Sequence, residues 1–152
     1  MRDDQKRGVV GIAVRVVAWA SLWRIPAVGL FCALGGNAWQ ESQFDEDAVG
    51  DSGWSIGVFQ ANRKAGLGRG HSIESLSDPK YNTDVVMKEA DRLGFRQLIQ
   101  SGATIEEAAR WFCINVERPA NATVKAEERA AYAASLAKQF GHTGATRVKD
   151  AA

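Results

Sequence analysis

In the segment Asn37 to Gln60, NAWQESQFDEDAVGDSGWSIGVFQ, one glutamate follows an apolar run and precedes an acidic, glycine-rich turn. Flanked by Trp39 and Phe44 at the end of an expected helix, the Glu41 carboxyl is shielded from water and faces the negative end of the helix dipole. Both effects favour its protonated form, which makes Glu41 the candidate general acid for a leaving-group oxygen near neutral pH. Asp51, among the turn glycines, is the candidate second carboxylate. Ser42, Ser55, Gln60 and Asn62 offer the uncharged hydrogen-bonding groups that sugar hydroxyl and acetamido groups need. Trp54 lies in the loop and is the aromatic expected to present a face for stacking on a ligand. Trp19, Trp23, Trp39 and Trp111 fall at helical spacing and read as core.

Competing motifs lack their context. Gly53-Trp54-Ser55-Ile56-Gly57 has the letters of a nucleophile elbow, but neither an apolar strand nor strand–helix alternation surrounds it. His71 and His142 are the only histidines, without an HExxH pair or carboxylate cluster, and Cys32 and Cys113 have no metal-ligand spacing, so no metal and no other cofactor is expected. Both cysteines stand in apolar stretches and read as buried free thiols. Gly66, Gly68 and Gly70 beside Arg69 come without a phosphate-loop lysine. Asn121-Ala122-Thr123 fits a glycosylation acceptor but reads as a loop before a helix.

The elements that must hold these residues are mostly helical. Val9, Ile12, Ala13, Val16, Val17 and Ala20 recur every three or four residues, predicting a first helix with Arg15 on its other side. A second runs from about Pro26 to Gln40. From Asp45 to Gly70 the periodicity fails, predicting turns and short irregular strands, with a small β-region near Val49 to Gln60. Asp78 before Pro79 starts a helix that runs to Gly94. Thr104 and Glu107 form a capping box for a helix that stops before Pro119. An alanine-rich helix from about Thr123 to Phe140 is closed by Gly141.

The 152 residues match one compact domain. Nineteen basic residues against 18 acidic ones leave a net charge of +1, which gives no electrostatic case for nucleic acid. Arg15 and Arg24 interrupt the apolar stretch from Gly8 to Gly36, leaving uncharged runs below the roughly 20 residues that span a bilayer, so no stable membrane insertion is expected. An interfacial helix using those two arginines is a minor alternative. The charged start MRDDQKR and Arg15 argue against a secretory signal peptide.

Glu41-Ser42-Gln43-Phe44, Ala48-Val49, Gly53, Gly57 and Gln60 together resemble the ESxF, AV, GxxxG and closing-glutamine pattern of soluble lytic transglycosylases and goose-type lysozymes. Asp78-Pro79 with Asn82 is similar to their next element. Glu117-Arg118-Pro119-Ala120-Asn121 resembles the ERPAN element of phage tail lysozymes, whose glutamate-bearing segment also reads GN, a short spacer, then ES, as in Gly36-Asn37 to Glu41-Ser42. The resemblance covers about Ala18 to Leu136. Gly57-Val58-Phe59-Gln60 departs from the GLMQ of transglycosylases, and their tyrosine-asparagine-glycine element is missing.

The resemblance implies a mainly α, lysozyme-like α+β domain, placed at residues 8–141; the charged residues 1–7 read as a polar extension and the small, polar residues 142–152 as a flexible tail. It implies cleavage of the β-1,4 glycan bond of peptidoglycan by Glu41, a virion location, and other phage tail or virion proteins as partners. Open alternatives are a lytic transglycosylase or endolysin of the same fold, or a non-catalytic structural or glycan-binding tail module. For Glu117 and Arg118 two readings stand: a buried structural ion pair that locks the helix end, which is preferred, or Glu117 facing the cleft.

Overall fold

The computed structural model describes all 152 residues as seven helices and a three-stranded antiparallel sheet, the mainly α architecture with a small β-region that the sequence implies. The helices are α1 (Asp3–Trp23), α2 (Ala27–Ser42), α3 (Ile73–Ser77), α4 (Pro79–Arg92), α5 (Phe95–Gln100), α6 (Ile105–Phe112) and α7 (Ala122–Gln139). The strands β1 (Val49–Gly50), β2 (Ser55–Ile56) and β3 (Ala61–Asn62) pair in sequence order, with Val49 opposite Ile56 and Ile56 opposite Ala61.

Helix α2 runs through the middle of the molecule, packed by α1, α6 and α7. It is apolar nearly all round, as a central helix must be, and everything from Gly29 to Ala38 except Phe31 is buried. Its small residues set how close the neighbours come. A Cβ on Gly36 would lie 2.4 Å from the Arg129 carbonyl oxygen of α7, and one on Gly35 would lie 2.7 Å from Leu136. Gly36→Ala therefore pushes α7 away from α2, and a loss of about 1–3 kcal/mol is expected in denaturant unfolding, since the obstructing atom is backbone.

The β-region is tied to the helices by one buried amide. Asn82 of α4 donates to the carbonyls of Ile56 and Leu76, both at 2.9 Å, and accepts from the Phe59 amide at 3.1 Å. Asp78 caps α4 by accepting from the Lys80 amide, and Thr104 with Glu107 closes the capping box of α6, as their spacing predicts. Helix α1 is fastened to α4 through Asp84, which accepts from Arg15 at 2.8 Å and from the Trp19 indole at 2.9 Å. No helix is long and apolar enough to cross a membrane. Both cysteines are buried and free.

Several sequence expectations change. Residues 3–7 are not an extension but the opening turns of α1, held because the Gln5 side-chain amide donates to the Gln43 carbonyl beyond α2 and Arg7 pairs with Glu46. Residues 142–152 are not a free tail. The Ile105 amide donates to the Thr146 carbonyl at 2.9 Å and the Val148 amide to the Ala103 carbonyl at 3.0 Å, and Val148 and Ala151 are fully buried. The absence of a Cβ at Gly29 admits them: one there would come within 3.0 Å of both residues. Helices α3 and α5 are additional, and α6 continues into a π-helical turn at Cys113–Glu117.

Candidate active site

Glu41 lies in the last turn of α2, on the wall of an open cleft of about 600 Å³ between that helix, the β-region, the π-helical turn and α7. Asp51, Ser55, Gln60, Asn62, Glu117 and Arg129 share the lining. The cleft thus joins residues separated by nearly ninety positions, and four of its lining residues are carboxylic acids: Glu41, Asp51, Glu117 and Glu128.

The nearest partner of Glu41 is Arg129, which the sequence reading missed. Its Nη2 donates to Glu41 Oε1 at 2.7 Å, and the two side chains are 5% and 19% exposed. The close α2–α7 approach at Gly36 delivers the guanidinium here. Burial raises the Glu41 proton affinity, the hydrogen bond and charge of Arg129 with the charge of Lys125 oppose it, and Asp51 adds to the rise; the net direction is upward. Trp39 and Phe44, expected to shield Glu41, instead pack with Tyr132 of α7, Trp39 stacking on it at 5.1 Å. The signal for Arg129 was available: it follows Ala126 and precedes Ala130 and Ala133 on the small-residue face by which α7 packs.

Asp51 is exposed and carried on a strained turn, with φ +49° here and +56° at Ser52. Its Oδ2 accepts from the buried Ser55 hydroxyl at 2.5 Å, and that hydroxyl accepts from Asn62 at 3.1 Å. Asn62 in turn accepts from the Lys64 and Ala65 amides. The result is a carboxylate fixed on a braced hairpin, lining the same cleft as the half-buried Glu41.

The residues expected to hold sugar are mostly committed elsewhere. Ser42 does not line the cleft; its hydroxyl reaches the Val58 carbonyl at 2.7 Å and the Ala38 carbonyl at 3.1 Å. Gln60, at φ +51°, spends its amide on the carbonyls of Ala48 and Gly57, each at 3.0 Å. Ser55 and Asn62 brace Asp51. Trp54 is 41% exposed but lies outside the lining, with the Lys64 ammonium over its ring. The side chains left with free polar ends on the cleft wall include Gln40, Lys125 and Glu128.

The preferred reading of Glu117 and Arg118 as an ion pair is overturned. The π-helical turn and the left-handed backbone at Arg118, φ +49°, separate the two side chains: Arg118 is exposed and donates to the Asn115 carbonyl at 3.1 Å, while Glu117 turns into the cleft. Its Oε1 is enclosed and meets no protein donor. Burial, reinforced by the charge of Glu41, holds its proton well above the usual carboxylate range, with Arg129 opposing. For metals, Asp4, Asp45 and Asp47 are grouped within 4.8 Å, but Arg2 already pairs with the first two.

No curated protein and no solved structure matches the chain. The model of the family described as phage tail lysozyme matches residues 31–140, from α2 to the end of α7, and so takes in Glu41, Asp51, Glu117 and Arg129. The matched stretch is most of the chain and holds the whole cleft: the protein belongs to the phage tail lysozyme family, a lysozyme-like, peptidoglycan-degrading kind of phage protein.

Proposed function

We propose that this protein is a glycosidase that cleaves the β-1,4 bond between N-acetylmuramic acid and N-acetylglucosamine in peptidoglycan. The observation that carries the reading is one open cleft lined by both a half-buried glutamic acid of raised proton affinity and an exposed carboxylate held in place by a serine hydroxyl. Glu41 protonates the glycosidic oxygen as the bond breaks. Asp51 stabilises the positive charge that develops at the anomeric carbon, or orients the water that attacks it. Membership of the family supports a virion location, contact with other tail or virion proteins, and local opening of the cell wall as the genome enters.

The chain's own groups suffice for acid-assisted hydrolysis as proposed. Asp51→Asn keeps the Ser55 and Asn62 hydrogen-bonding shape but removes the charge, and a fall in kcat of about 10²-fold with little change in KM is expected for a group that acts on developing charge. Steady-state kinetics on soluble glycan oligomers check it. The whole reading is tested by incubating purified peptidoglycan with the protein: release of soluble glycan fragments supports it, and an intact sacculus across a wide range of pH and salt overturns it in favour of a structural or glycan-binding module.

A further inference from the structure

Glu117 has no part in that reaction, yet its carboxyl oxygen Oε1 is enclosed in the cleft wall. Three groups line it and act on one another through their charges: the Glu41 carboxyl, the Glu117 carboxyl and the Arg129 guanidinium. One guanidinium compensates one carboxylate. In the arrangement observed it is given to Glu41, at 2.7 Å, while Glu117 Oε1 has no donor and Arg129 Nε has no acceptor. A carboxylate oxygen enclosed without a donor is costly if charged, so the geometry describes Glu117 as the acid and Glu41 as the carboxylate. A general acid must begin its reaction in the opposite state.

We propose that Glu117 is a positioning residue that serves as the proton reservoir of Glu41, the two acids and Arg129 holding a single proton between them. The step is balanced: the proton on the Glu117 carboxyl passes to the Glu41 carboxylate, and the Arg129 charge, which acts on both acids, compensates whichever of the two is ionised. Glu41 then gives its proton to the glycosidic oxygen and returns to the paired state when the next proton enters from solvent. The inference rests on the glycosidase reading of Glu41.

The other charges around the unit belong to every element that packs on it. Lys125, Glu128 and Arg129 come from α7, Asp51 from the β-region, and Arg118 from the π-helical turn. The Cys113 thiol at the start of that turn is pushed up by burial and feels the same charges. Lys125 favours ionisation of Glu41 and Asp51 disfavours it. Neither supplies a proton in the enclosed space, because Asp51 is exposed and held by Ser55. The π-helical turn is the local device that rotates Glu117 inward, a use such turns often have at functional sites.

The test is the pH dependence of kcat/KM for Glu117→Gln against the parent, on peptidoglycan fragments. Glutamine keeps the shape but cannot give a proton and never becomes the negative neighbour that lets Glu41 keep one. The deficit of the variant is therefore expected to grow from acid to neutral pH, reaching about tenfold as the alkaline limb moves to lower pH by about one unit. A deficit that is the same at every pH, or no deficit, overturns the proposal in favour of a structural role. If the variant does not fold, the infrared carbonyl band of a protonated carboxyl decides: it is expected in the parent at neutral pH and lost in Glu41→Gln, where the Arg129 charge is no longer neutralised by a Glu41 carboxylate and favours ionisation of Glu117. Its absence in the parent, or its persistence in that variant, also overturns the proposal. A parent that cuts no glycan sinks the glycosidase reading, while the infrared result still decides the shared proton.

Discussion

Glu41→Gln is expected to lower kcat for glycan cleavage by about 10³-fold or more while leaving glycan binding intact. The amide has nearly the size of the carboxyl and keeps a carbonyl oxygen for Arg129 Nη2, so the cleft wall is preserved. What it removes is the transferable proton, and general acid catalysis contributes about 10²–10⁴-fold. The interaction lost exists in the transition state rather than in the bound ground state, so the loss falls on kcat and not on KM. Rates on soluble glycan oligomers, with binding measured separately by calorimetry, check both halves.

The second large effect belongs to Arg129→Met. Methionine fills the space of the arginine stem but leaves Glu41 half-buried and uncompensated at neutral pH. Breaking a buried pair from one side costs about 3–5 kcal/mol, and the partial exposure of Glu41 places this case near the lower end. The pH dependence has a definite sign. Burial already raises the folded-state proton affinity of Glu41 above its unfolded value, and removing Arg129 raises it further. The folded variant then binds a proton more tightly than the unfolded chain, so its deficit is largest above the raised pKa and shrinks as pH falls through it. Urea unfolding at neutral and acid pH is expected to show a gap that narrows on acidification. A gap independent of pH contradicts the role given to the pair.

How much of this was legible in the sequence depended on whether a local rule governed the element. The helix ends at Asp78-Pro79 and at Thr104-Glu107 follow capping chemistry and stand where their residues predict. The apolar run before Glu41 forms a helix because it is central, and its glutamate emerges at the end of the helix. The π-helical turn could not be read, because one extra residue per turn leaves no mark in a 3.6-residue pattern, and so the choice between an ion-paired and a cleft-facing Glu117 fell to the wrong side. Val148 and Ala151 looked like part of a small polar tail, since two buried side chains do not establish a period. The serine, glutamine and asparagine side chains were identified correctly as polar but assigned to ligand. In the fold their capacity is mostly taken by the carbonyls of the β-region and by Asp51, because a hairpin of two-residue strands has too few ladder hydrogen bonds to hold itself.

Which bond is cut is measured most directly by mass spectrometry of the soluble fragments released from purified peptidoglycan, with the new chain ends identified after borohydride reduction. Fragments ending in a reducible N-acetylmuramic acid, with the stem peptides intact, are the predicted result. Anhydro-muramic ends would keep Glu41 as the acid but replace water by the substrate's own hydroxyl. Fragments whose glycan strands are uncut and whose peptide bonds are broken would contradict the account.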